Sequence, residues 1–128
     1  MDNQKLIDLA ALAQKNSYAP YSKVNVGAAL LSRDGRVFSG CNVENSSYGA
    51  TICAERCAIL KAVSEGVQEF EAIAVTSNLE DFAYPCGMCL QVMAEFNPEL
   101  RVVVVNGAKE VAEFGLKELL PKMFGLGE

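Results

Sequence analysis

The sequence contains neither histidine nor tryptophan, and it has no cluster of basic residues. Without histidine, a general acid or base must be a carboxylate, lysine, tyrosine or cysteine, and a zinc site must use thiolates and carboxylates. A net charge of −5 argues against a nucleic-acid partner, because phosphate contacts need grouped lysines and arginines. No apolar segment approaches the roughly 20 residues of a membrane span, and the N-terminus lacks the apolar core of a signal peptide. We therefore expect a cytoplasmic protein with no membrane partner.

Cysteine, in contrast, is present five times. An odd number without a secretion signal predicts reduced thiols rather than a disulfide framework. Clustered thiols in a reducing compartment usually bind a metal or take part in catalysis. The length of 128 residues, 51% of them hydrophobic, predicts one domain over residues 1–128.

Hydrophobic periodicity predicts helices that alternate with strands. Apolar residues at helical spacing predict helices over 4–15, 52–63 and 87–96, and a helical turn over 116–120. Alternating or continuous apolar runs predict strands over 24–30, 36–42, 70–76 and 100–106, and allow a last one over 109–114. Asp34-Gly35 predicts a hairpin between the first two strands. This order indicates an α/β fold, a three-layer α-β-α sandwich with a mixed five-stranded sheet.

Two short segments concentrate the cysteines at predicted helix starts: residues 51–57 (TICAERC) and 85–89 (PCGMC). Cys86 and Cys89 are separated by one helical turn, so both sulfurs can reach one point, a spacing common in zinc sites. A helix N-terminus also favours the thiolate that a metal needs. With Cys53 as a third ligand, one tetrahedral position stays open for water, which is typical of a catalytic zinc site.

Glu55 follows Cys53 by two residues and is the predicted catalytic acid and base. From a helix start its carboxylate could reach over a metal-bound water and pass that proton on. Simpler alternatives are a structural zinc site or buried free thiols, and a carboxylate favoured only by the helix dipole. Cys41 and Cys57 suit small packing residues better than ligands.

Six segments in this order resemble the small homotetrameric cytidine deaminases, within the zinc-dependent nucleoside deaminases. They are residues 18–22, 26–29, 40–45, 53–56, 85–91 and 118–121. The resemblance implies one Zn²⁺ per chain and hydrolytic deamination of cytidine and deoxycytidine in pyrimidine salvage. Water activated by zinc would attack C4 of the base, while Glu55 carries protons to N3 and to the leaving amine.

The resemblance also implies how the substrate is held. Asn42 and Glu44 match residues that hydrogen-bond the ribose hydroxyls, and the backbone N–H of Ala54 would contact the base carbonyl. Phe124 matches a tail aromatic that stacks on the base in a neighbouring subunit, which implies a homotetramer with shared active sites. The implied substrate-binding residues are Val24, Asn42, Val43, Glu44, Ala54 and Phe124.

Three positions depart from the family. Val24 stands where Phe is usual beside the base, Leu90 where Arg is usual after the last zinc cysteine, and Met88 where Ala is frequent. Zinc with three thiolates carries a net charge of −1, and only Arg56 matches the arginines that offset it.

These departures keep open the deamination of a modified cytosine nucleoside. A non-catalytic zinc-stabilised domain is a second alternative, against which the presence of Glu55 argues. Editing of a polynucleotide is a third, and the net charge of −5 and the lack of tryptophan argue against it.

Overall fold

The computed structural model describes residues 1–127, so Glu128, the last residue of the predicted domain, lies outside the described residues. The predicted order of helices and strands is confirmed, including the last strand. In chain order the elements are α1 (Asn3–Gln14), β1 (Val26–Ser32), β2 (Val37–Cys41), α2 (Ala54–Ser64), β3 (Phe70–Ser77), α3 (Gly87–Phe96), β4 (Arg101–Val105), β5 (Val111–Gly115) and α4 (Leu116–Leu119).

The five strands form one mixed sheet in the order β2-β1-β3-β4-β5. Strands β3 and β4 are parallel and are connected through α3, because parallel neighbours need a crossover. The other neighbouring pairs are antiparallel. Strand β3 lies at the centre of the sheet and is buried on both faces along most of its length, because helices cover both sides of it.

Helices cover both faces of the sheet, which confirms the three-layer architecture. On one face α1 packs its apolar side against alternating residues of β1 and β3. On the other face α2, α3 and α4 pack against a larger apolar cluster, which we call the main core. Its buried side chains include Leu30, Phe38, Ile59, Ile73, Val75, Met93, Val102, Val104 and Leu116.

Two glycines let helices lie directly on the sheet. A Cβ atom at Gly27 would lie 2.0 Å from the carbonyl oxygen of Ala10 in α1. A Cβ atom at Gly40 would lie 2.6 Å from both the carbonyl oxygen of Ala54 and the amide nitrogen of Ala58. The close approach at Gly40 fixes the first turn of α2, which carries Cys53 and Glu55.

The first strand begins two residues later than predicted. Val24 and Val26 alternate as in a strand, but Lys23 has a positive φ of 63°, and β1 begins only at Val26. The side-chain amide of Asn78 donates to the Lys23 carbonyl at 2.9 Å and holds this conformation. The connection between β2 and α2 contains one 3₁₀ turn, Tyr48–Ala50. Within residues 1–127, no helix is both long and apolar enough to cross a membrane.

Candidate active site

Two helix starts bring three cysteine sulfurs together. Cys53 is the N-cap residue of α2 and Cys86 is the N-cap residue of α3, while Cys89 lies one turn into α3. The three sulfur atoms all lie within 4.8 Å of one another, and those of Cys86 and Cys89 are 3.6 Å apart. Neither N-cap side chain hydrogen-bonds the backbone of its own helix, so neither sulfur is used to cap that helix.

This spacing fits a zinc ion. Thiolates about 2.3 Å from a tetrahedral Zn²⁺ lie about 3.8 Å from one another. The sulfur–sulfur separations in this structure are close to that distance, so small side-chain movements would complete the geometry. Thiolate ligands also select zinc over hard cations such as magnesium. Three sulfurs fill three of four tetrahedral positions, so the site retains one position for a further ligand.

The electrostatics around the sulfurs favour a thiolate at Cys53. The pKa of Cys53 is lowered to about 5, chiefly by the hydrogen bond from the Cys89 thiol and also by the Arg56 guanidinium, while burial opposes this shift. The same hydrogen bond and burial raise the pKa of Cys89. Arg56 donates from Nη2 to the Cys53 sulfur at 3.3 Å. The Cys53 sulfur, beside the positive charge of Arg56, is therefore favoured in the thiolate form that a metal ion binds.

Glu55 is a buried carboxylic acid directly beside these cysteines. It lies in the first turn of α2, and only 5% of its surface is exposed. Burial raises the pKa of Glu55 to about 7. A carboxyl group that titrates near neutrality can both take up and release a proton at working pH.

A cavity of about 380 Å³ opens over Glu55, Cys53 and Cys86. That volume lies in the range of pockets that hold small molecules. Of the predicted substrate-binding residues, four line the cavity: Val24, Asn42, Glu44 and Ala54.

Two predicted substrate-binding residues lie outside the cavity of their own chain. The side chain of Val43 is 45% exposed, and its backbone pairs with Ile52. Phe124 is 67% exposed, and its carbonyl accepts a hydrogen bond from Gln91 Nε2 in α3 at 3.0 Å.

Asn42 is held by the residues around it. Its Oδ1 accepts from the Ser17 hydroxyl at 2.5 Å and from the Val26 amide at 2.9 Å. Its Nδ2 donates to the Val24 carbonyl at 2.7 Å. A side-chain amide has two N–H donors, so one donor is left for a ligand.

Glu44 organises the loop that precedes β1. Its carboxylate accepts from the amides of Tyr21 and Ser22 at 3.0 and 3.1 Å, and from the Ser22 hydroxyl. The hydroxyl bond is the main cause that lowers the pKa of Glu44, so this carboxylate stays ionised as a hydrogen-bond acceptor.

The sequence did not identify one wall of the cavity. Leu79, Phe82 and Tyr84, in the loop between β3 and α3, line it together with Ser22. A loop has no hydrophobic periodicity to reveal its position. Its place in the chain could have indicated this position, because a segment that leads directly into Cys86 must pass beside the three cysteines.

Comparison with known proteins agrees with this geometry. Residues 1–106 match the model of the cytidine and deoxycytidylate deaminase zinc-binding region. The chain belongs to this family. A cytidine deaminase of Sporosarcina psychrophila is 48% identical over 125 residues, which cover 97% of this chain and 92% of that protein.

Solved cytidine deaminase structures share the fold. That of Burkholderia pseudomallei has a TM-score of 0.93 at 46% identity and covers 97% of this chain and 100% of its own. That of Mycobacterium tuberculosis has a TM-score of 0.86 at 39% identity, with 98% and 99% covered. The family binds zinc, and in this member Cys53, Cys86 and Cys89 are positioned to hold one metal ion.

The departures from the family pattern have distinct surroundings. Val24 lines the cavity. Leu90 is 7% exposed and packs in the main core, and Met88 is 64% exposed. Among residues 1–127, Arg56 is the basic residue that hydrogen-bonds a cysteine sulfur.

Proposed function

We propose that this protein hydrolytically deaminates cytidine and deoxycytidine, giving uridine or deoxyuridine and ammonia, as a step of pyrimidine salvage. The observation that carries the proposal is the group of three sulfurs within 4.8 Å of one another, beside the buried Glu55, at the wall of a small-molecule cavity. The cytidine deaminases among its relatives support cytidine as the substrate.

In this proposal Cys53, Cys86 and Cys89 hold one zinc ion and Glu55 moves the protons. Zinc supplies a Lewis acid that makes water a nucleophile near neutral pH. Glu55 takes a proton from the water that attacks C4 and delivers it to N3 of the base. It then transfers the second water proton to the amino group, which leaves as ammonia while the C4 carbonyl forms. Water and cytidine thus give uridine and ammonia without a further reactant.

The choice of Glu55 rests on which acidic groups line the cavity. The chain has no histidine, and the other lining carboxylate, Glu44, is bound by Ser22 and the Tyr21 amide. Glu44 and the remaining N–H donor of Asn42 suit the sugar hydroxyls instead. The backbone N–H of Ala54, at the first position of α2, suits the base carbonyl because helix starts have unpaired donors.

We also assign to this protein a cytoplasmic homotetramer in which active sites are shared. Its cysteines include three that must stay reduced to bind a metal, which suits the cytoplasm. Phe124 and Val43 are exposed and lie outside the cavity of their own chain, as residues that complete a neighbouring site would be.

Light scattering tests the tetramer and should give four times the chain mass. Phe124→Ala should raise KM with the tetramer intact, and a fully active monomer would exclude shared sites.

The function is tested by incubating zinc-loaded protein with cytidine, deoxycytidine and base-modified cytosine nucleosides while ammonia release and zinc per chain are measured. One zinc per chain with efficient turnover of cytidine is the expected result. Faster turnover of a base-modified nucleoside would favour the second candidate, which the small Val24 side chain in the cavity wall supports. Zinc without turnover of any substrate would contradict deamination and leave a non-catalytic zinc domain.

A further inference from the structure

The loop between β3 and α3, residues 78–85, supplies the aromatic part of the cavity wall. Phe82 and Tyr84 are the aromatic side chains among the lining residues that the structure describes. The segment before and within β1 contributes only Ser22, Val24 and Val26. Within one chain, a flat heterocyclic base that enters this cavity therefore meets aromatic surface from the loop alone.

Backbone hydrogen bonds fix this loop along its length. The Leu79 amide donates to the Ser77 hydroxyl at 3.1 Å, and the Gly107 amide, from the β4–β5 connection, donates to the Glu80 carbonyl at 2.9 Å. The Tyr84 amide donates to the carbonyl of Phe82 at 2.9 Å. A wall anchored in this way does not need to become ordered when a ligand binds, which favours affinity.

A chain of ring contacts links Phe82 to strand β5. Its ring centroid lies 5.9 Å from that of Tyr84, at an interplanar angle of 51°. The Tyr84 ring lies 6.0 Å from that of Phe114 in β5. Phe82 also packs against the main core, whereas Tyr84 is 51% exposed. Of the two aromatic residues in the wall, Phe82 is therefore the more firmly placed.

We propose that Phe82 provides the aromatic surface against which the pyrimidine ring of the substrate packs, which the aliphatic Val24 cannot provide. This inference rests on the proposed function, because it takes a cytosine nucleoside as the occupant of the cavity. Pyrimidine rings bind well to aromatic faces, because a ring adds a quadrupole interaction and a flat contact surface to the dispersion that any apolar side chain provides. Packing of this kind is made equally in the ground state and the transition state, so it acts on KM rather than kcat.

The test compares Phe82→Leu with Phe96→Leu, a matched change at a phenylalanine that also packs partly buried on the main core but lies outside the cavity lining. Phe82→Leu should raise the KM for cytidine about tenfold with kcat within about twofold. Phe96→Leu should leave KM within about twofold. Zinc per chain is measured in every preparation to show that the metal site is intact.

Rescue separates a binding role from a structural one. Val24→Phe added to Phe82→Leu restores aromatic surface from the other segment and should recover much of the lost affinity. An unchanged KM in Phe82→Leu, or a joint fall of kcat and zinc content without rescue, would overturn the inference. If the unmodified protein turns over no nucleoside, the proposed function fails, and calorimetric binding of cytidine to the same variants then decides the role of Phe82 by the same comparison.

Discussion

Helix α1 begins with a capped end, whereas α2 and α3 begin without one. The Asp2 carboxylate accepts a hydrogen bond from the Lys5 amide at 2.8 Å, which is the usual way to satisfy a helix start. The N-cap residues of α2 and α3 are Cys53 and Cys86, and neither makes that bond. A missing cap costs about 1 kcal/mol per helix. The two helices that carry the site thus give up stability that α1 retains.

The two faces of the sheet also differ in whether they carry functional groups. The face under α1 is a closed apolar cluster. The face under α2 and α3 has a larger core, but at the helix starts it contains the buried Glu55, the three cysteines and a cavity. A metal that binds the three sulfurs would stabilise the folded state and offset the missing caps. Three sets of substitutions test this contrast between a structural face and a functional one.

The largest effect is expected at the sulfurs. Cys53→Ser should abolish zinc binding at equimolar metal and reduce deamination below detection. Two protein thiolates would remain, which is fewer than the three protein ligands that catalytic zinc sites usually have. Cys57→Ser is the matched control, four residues further along the same helix and outside the sulfur group. It should keep one zinc per chain by atomic absorption. Loss of zinc in Cys57→Ser with retention in Cys53→Ser would reverse the ligand assignment.

An intermediate effect is expected at the two helix–sheet contacts. Gly40→Ala and Gly27→Ala should each lower the free energy of unfolding by about 1–3 kcal/mol, since the new Cβ atom forces the helix away from the sheet. Only Gly40→Ala should also reduce kcat per zinc-loaded molecule, because it displaces the turn that carries Glu55. Denaturant unfolding and steady-state kinetics measure both. Equal kcat losses in the two variants would show that the α1 face is not merely structural.

The smallest effect is expected at the cap of α1. Asp2→Ala should cost about 1 kcal/mol of unfolding free energy and leave kcat/KM unchanged. Thermal unfolding of the zinc-loaded protein measures the first quantity. A change in kcat/KM beyond about twofold would contradict the separation of the two faces.

The sequence was sufficient for the parts of the fold that have a regular repeat. The helix starts at Cys53 and Cys86 were predictable because loop residues precede an apolar helical pattern, and the Cys-x-x-Cys spacing marks one turn. The hairpin was predictable from Asp34-Gly35. The loop wall formed by Phe82 and Tyr84 was not, because its position depends on contacts with residues distant in sequence.

The alternation of apolar residues predicted the start of the first strand incorrectly. Val24 and Val26 have the period of a strand, yet β1 begins only after Lys23, whose positive φ is held by Asn78. Val24 therefore lies outside the strand and lines the cavity. A hydrogen bond between residues 55 positions apart has no signature in a short window of sequence. The parts of the site that resist prediction are thus those shaped by distant contacts.

In the proposed reaction every proton transfer passes through Glu55. Glu55→Gln keeps the size of the side chain and removes its ability to carry a proton. We expect one zinc per chain and an unchanged or higher melting temperature, since a buried ionisable group is replaced by a neutral one. Turnover of cytidine should fall by about 10²–10⁴-fold or more. A variant that keeps zinc and fold but deaminates cytidine at the original rate would contradict the assignment of Glu55 as the proton carrier.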